Sequence, residues 1–196
     1  MKSPAIVLFV FVAVFATTAS ADEVQYTTTL SGANENPANS STGIGSARVT
    51  VDLDTVTMRV EATFSDLIGD VTAAHIHCCT APPGNVGVAT PTPTFPGFPA
   101  GVKSGAYDMT FDMSLDSSYN ASFVAGNGGT VSDALNALVA GLDSGSAYLN
   151  IHTTNVGSGE IRGFLQAVPE PSCGVLMLMG MACFAGFRRR RPRSLV

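Results

Sequence analysis

Over most of the stretch from Val24 to Ala167 the apolar residues of this chain recur at every second position, and that period constrains the backbone more than any other feature. Side chains on an extended strand alternate between two faces, so a period of two marks strands buried on one side. Val24-Gln-Tyr-Thr-Thr-Thr-Leu30 alternates, as do Val49, Val51 and Leu53, then Val56, Met58, Val60, Ala62 and Phe64. Asp54-Thr55 between the last two runs predicts a hairpin turn. Val71 to His77 predicts a further strand, and Tyr107, Met109, Phe111 and Met113 another. Strands return at Ala147–Thr153 and Glu160–Ala167, with Asn155 to Gly159 as their turn. Seven or so short strands predict a mainly β chain folded as an antiparallel β-sandwich, with a β-barrel as the alternative.

Two stretches break the period. Residues 80–101 are crowded with proline and glycine and predict a long irregular loop, a kind that is often functional or mobile. Leu135, Leu138, Val139 and Leu142 stand at helical spacing, which predicts one short α-helix near 132–140. Ser132 can cap its start and Gly141 can end it.

Chemistry concentrates in Ala74-His-Ile-His-Cys-Cys-Thr80. His75 and His77 fall on one face of a strand, with Ile76 and Cys78 on the other. The third histidine, His152, lies in Tyr148-Leu-Asn-Ile-His-Thr153. Were the two strands neighbours, three imidazoles could meet on one ion, and three imidazoles suit copper or zinc. The competing reading is that the rings hydrogen-bond to backbone or carboxylates at a sheet edge. Cys78 and Cys79 have three readings: a vicinal disulfide, which we favour, thiolate ligands to a soft metal beside the histidines, or a link between two chains. Glu160 and Arg162, two apart, share a strand face and are expected to make a structural ion pair or hydrogen bonds to nearby loops. Gly159 and Gly163 suit a turn and a close backbone approach.

Ala74-His-Ile-His77, Tyr148-Leu-Asn-Ile-His-Thr153 and Gly159-Glu-Ile-Arg-Gly163, in that order, resemble the CHRD domain, first described in chordin. The resemblance spans about residues 24–167 and marks Glu160, Arg162 and Gly163 as part of the family's motif. It implies an extracellular, β-rich domain and does not imply a reaction. One departure is that glycine often follows His-x-His in that family, where this chain has Cys78-Cys79. PTFPGFPAGVKSGAY and AYLNIHT resemble a bacterial branch in which the domain is joined to a sorting tail.

Both ends read as address labels. Lys2, an apolar run from Ala5 to Ala16, and the small residues Ala19 and Ala21 fit a signal peptide over residues 1–21, cut before Asp22 by signal peptidase. At the other end, over residues 168–196, come Pro169-Glu170-Pro171, an apolar segment at 174–187, and Arg188, Arg189, Arg190 and Arg191. The three parts resemble the PEP-CTERM sorting signal of Gram-negative bacteria. That resemblance implies an exosortase as partner, cleavage near the Pro-Glu-Pro, and passage to the cell surface or extracellular matrix. The apolar segment is short for a membrane span, and the arginines would keep its end cytoplasmic during a transient stay.

Between these ends, residues 22–167 are one domain's worth of chain. The residues from 22 to 168 hold four basic side chains, Arg48, Arg59, Lys103 and Arg162, against fourteen acidic ones, a net charge of −10. Such a body does not suit nucleic acid or an anionic membrane surface. No Gly-x-Ser-x-Gly and no His-Glu-x-x-His occurs. The sequence therefore points first to an exported, non-enzymatic surface or matrix protein, with matrix polysaccharide or surface proteins as partners. The alternative is a copper- or zinc-binding extracellular protein, redox-active or not, built on the three histidines.

Overall fold

The computed structural model describes residues 23–169. The expected signal peptide and all of the sorting tail beyond Pro169 lie outside the described residues. Eight strands form one antiparallel sheet curled into a half-barrel, so the mainly β class expected from the sequence is what the chain adopts. They are β1 (Glu23–Ser31), β2 (Ile44–Asp52), β3 (Thr57–Ser65), β4 (Val71–His77), β5 (Gly105–Asp112), β6 (Tyr148–Thr153), β7 (Ile161–Phe164) and β8 (Gln166–Ala167). The order across the sheet is β4-β6-β7-β1-β2-β3-β5, and the short β8 also pairs with β1.

Alternation explains the curl. Tyr26, Val49 and Val60 sit opposite one another across β1, β2 and β3, all buried, while Thr27, Arg48 and Glu61 one step along face out. On the other limb Ala74 and Ile76 of β4, Leu149 and Ile151 of β6, and Ile161 of β7 turn into the same core. Burying either face alone would leave a wide apolar surface, and curling one sheet brings both faces together. Each fully buried large side chain contributes about 1.5–3 kcal/mol by leaving water.

The proline-rich loop between β4 and β5 is anchored along its length. Phe95 is fully buried against Phe98, Tyr107 and Phe111. Its backbone pairs with the outer edge of β4, through Ala89 N–H to Ile76 O, Phe95 N–H to Ala74 O and Gly101 N–H to Val71 O, each at 2.9 Å. An edge strand needs such cover, because its unpaired groups otherwise invite another chain.

Between β5 and β6 the described residues form two α-helices, α1 (Ala121–Gly126) and α2 (Val131–Asp143). The sequence pattern anticipated only the second, and its caps differ from expectation. Thr130, not Ser132, caps α2 by accepting from the Asp133 amide, and Gly141 lies inside the helix. The helix runs past Gly141 because Leu142 is fully buried. Among the described residues no helix is long and apolar enough to cross a membrane.

Candidate metal centre

β4 carries two sequences of contacts at once. Ala74 and Ile76 face the core, and His75 and His77 face the other way. On that side the loop after β4 folds back, leaving His75 only 7% and His77 only 9% exposed. β6 lies beside β4 with Ala73 opposite His152, His75 opposite Asn150 and His77 opposite Tyr148. His152 therefore falls diagonal to His75 on the same face, within reach of a long side chain. The ring centres of His75 and His152 are 4.7 Å apart, those of His75 and His77 5.1 Å, and those of His77 and His152 5.9 Å.

Two of the rings are held from behind by a backbone carbonyl. His77 Nδ1 donates to Val86 O at 2.7 Å, and His152 Nδ1 donates to Gly157 O at 3.0 Å. The Pro93 backbone favours a proton on His75, though burial outweighs it. A carbonyl can only accept, so the bonded nitrogen carries the proton and the other ring nitrogen presents a lone pair. His77 Nε2 and His152 Nε2, the nitrogens so freed, and His75 Nδ1 are buried and have no hydrogen-bond partner. Ligand atoms from the three rings lie within 4.8 Å of one another.

Three buried ring nitrogens left without a partner cost about 1–3 kcal/mol apiece. A cation satisfies all three together. Nitrogens sharing an ion at about 2.0 Å stand about 3.3–3.5 Å apart, so side-chain rotation of roughly an ångström closes the cluster. The outer carbonyls fix the ring planes and tautomers, as the outer partners of metal-bound histidines do. Burial, with repulsion from His152 and His77, pushes His75 down to about 3. Burial likewise takes His77 to about 4 against the pull of the Val86 carbonyl, with His152 and Arg162 adding to the drop. His152 is also lowered by burial, with the Gly157 carbonyl opposing. All three rings are thus neutral at ordinary pH, the form that binds a metal.

The other residues singled out by the sequence sit around this cluster. Cys78 and Cys79 are joined as a vicinal disulfide, and the peptide between them is cis. Their sulfurs face α2, where a Cβ at Gly141 would collide with both. Among the described residues the cluster able to hold an ion takes in neither sulfur. Glu160 is fully buried and accepts from Ser41 Oγ, Thr153 Oγ1 and the Ile68 amide, each at 2.6 Å, and from the Gly69 amide at 3.1 Å. Burial would raise its carboxyl, but those bonds outweigh it and hold the group below its usual range.

Arg162, 1% exposed, donates to Asn34 O, Asn85 Oδ1, Gly84 O and Pro83 O, pinning two loops at once. Its ion-pair partner is Glu35, 3.7 Å from Nε, not Glu160. Its guanidinium lies 4.8 Å from the centre of the Tyr148 ring, which stacks flat on His77 at 4.7 Å. A Cβ at Gly163 would collide with Thr28 and the Thr29 carbonyl of β1. Sequence reasoning missed Glu35, Tyr148 and the carbonyls of Val86 and Gly157. Tyr148 had a signal, since it shares a face with Asn150 and His152 at spacing two, but Glu35 in its loop had none.

Two family models match the chain. The CHRD domain matches residues 26–165, and the PEP-CTERM protein-sorting motif matches residues 167–191. No curated protein and no solved structure matches.

Proposed function

The chain belongs to the CHRD-domain family and carries a PEP-CTERM sorting motif, and from that premise we propose an exported metal-binding protein, held at the cell surface or in the matrix, that takes copper or zinc on His75, His77 and His152. The motif supports sorting of the chain to the surface by the exosortase system. The observation that carries the metal reading is the convergence of three histidines whose ligand atoms lie within 4.8 Å of one another, each with a buried ring nitrogen that has no hydrogen-bond partner. A merely structural histidine cluster would pair those nitrogens with donors, since buried polar groups are satisfied in nearly all folded proteins.

The proposed role is binding rather than turnover. Among the described residues the cluster able to hold an ion is made of the three histidines alone, which suits holding an ion. Surface proteins or matrix polysaccharide remain the partners proposed for the acidic outer faces. Elemental analysis of the exported protein, purified without chelators or an affinity tag of histidines, tests the reading. About one copper or zinc per chain is expected, with loss in His75→Ala, His77→Ala and His152→Ala. A metal-free protein after incubation with excess copper and zinc removes the reading.

A further inference from the structure

We infer that the three-histidine cluster selects copper(I) over the divalent ions, because its donors are neutral and a buried guanidinium stands one ring away from it. This deepens the metal-site reading and rests on it.

Ligand softness does not decide the matter, since imidazole accepts zinc, copper(II) and copper(I) alike. Charge does. The cluster offers three uncharged nitrogens, and among the described residues no carboxylate or thiolate completes it. The softest donors nearby, Cys78 and Cys79, are tied up with each other. Arg162 is reached from the cluster through one ring, its guanidinium over Tyr148 and Tyr148 flat against His77 at 4° between planes. Its counter-charge Glu35 lies 3.7 Å away on the guanidinium, in the loop before β2. The cost of burying an ion rises with the square of its charge, so a dication pays about four times what a monocation pays in the same surroundings. A buried guanidinium adds to that difference.

Coordination number points the same way. All three acceptor nitrogens are shut off from solvent. Zinc completes a tetrahedron and copper(II) prefers a tetragonal set, and each needs at least a fourth ligand. Copper(I) is content with three.

The test is a set of competition titrations on the exported protein after metal removal. Copper(I) is titrated anaerobically against bicinchoninate, copper(II) against glycine, and zinc against a zinc-binding dye. Copper(I) is expected to bind about a hundredfold more tightly than copper(II), which raises the couple by about 120 mV at 59 mV per tenfold. Zinc is expected to be displaced by stoichiometric copper(I). Binding of zinc or copper(II) as tight as that of copper(I) overturns the inference and leaves the metal site standing. Absence of binding for every ion removes both. Arg162→Gln is expected to lower the copper(I) preference about tenfold, and an unchanged preference in the folded variant overturns the part given to the guanidinium. If that variant does not fold, the ratio in the unaltered protein decides.

Discussion

His152 meets His75 edge-on, with ring centres 4.7 Å apart at 70°, although its register partner across β4 and β6 is Ala73. The two rings touch along the diagonal of the sheet, and the diagonal brings His152 within reach of His77 as well. A register shifted by one residue would turn His152 into the core. The cluster therefore depends on the β4–β6 register, and the carbonyls of Val86 and Gly157 hold the His77 and His152 rings in that arrangement.

The metal-free protein should lose stability as pH falls from 7 to 5. The folded pKa values of His75 and His77, about 3 and about 4, lie below the ordinary 6.5, so in this window the unfolded chain binds protons that the folded chain refuses. Stability is full above about 6.5 and falls by up to about 1.4 kcal/mol per pH unit for each ring. Glu35 works the other way. Burial pushes its carboxyl up to about 7 against the pull of Arg162, so between its ordinary 4.5 and 7 the folded chain holds the extra proton. Urea unfolding at pH 7 and pH 5 should show a net loss for the unaltered protein and a steeper one for Glu35→Gln. Equal stability at the two pH values would contradict the burial of the rings.

Gly141→Ala should destabilise the protein although alanine is the better helix former by about 1 kcal/mol. A Cβ there collides with both sulfurs of the Cys78–Cys79 bridge. The same change in a Cys78→Ala, Cys79→Ala background should cost less, because the obstacle is gone. Chemical denaturation of the four proteins gives the coupling, and simple additivity would show that the bridge does not press on the helix.

Arg162→Met should cost about 3–5 kcal/mol, because it strands Glu35 in the interior and frees the carbonyls of Asn34, Pro83 and Gly84. Arg162→Lys should recover only part of that, since an ammonium cannot span two loops with a planar fork. Limited proteolysis should then cut first near residues 82–85. Cleavage elsewhere, with that loop intact, would mean that Arg162 does not hold it.

Much of this was legible in the sequence because period two carries both the class of fold and the facing of side chains. Val71–His77 could be bounded from its residues, and the shared face of His75 and His77 followed from spacing alone. What spacing could not supply was the neighbour of β4. The strand order places β6 there, against chain order, and only that makes His152 a partner. The curl of the sheet was hidden for a related reason, since alternation says which face is buried and not what buries it. The caps of α2 were misplaced because Gly141 reads as a stop signal. It is glycine for room beside two sulfurs, a tertiary demand with no local trace. Glu35 sits in a polar loop like many others, and nothing in its surroundings announces Arg162.

The most direct test of the account is X-ray absorption at the metal edge of the loaded, exported protein. Three imidazole nitrogens at about 2.0 Å and no sulfur shell are the predicted result. A sulfur shell near about 2.3 Å would place the cysteines on the metal and contradict the disulfide-bonded arrangement, and a protein that takes up no metal would contradict the site itself.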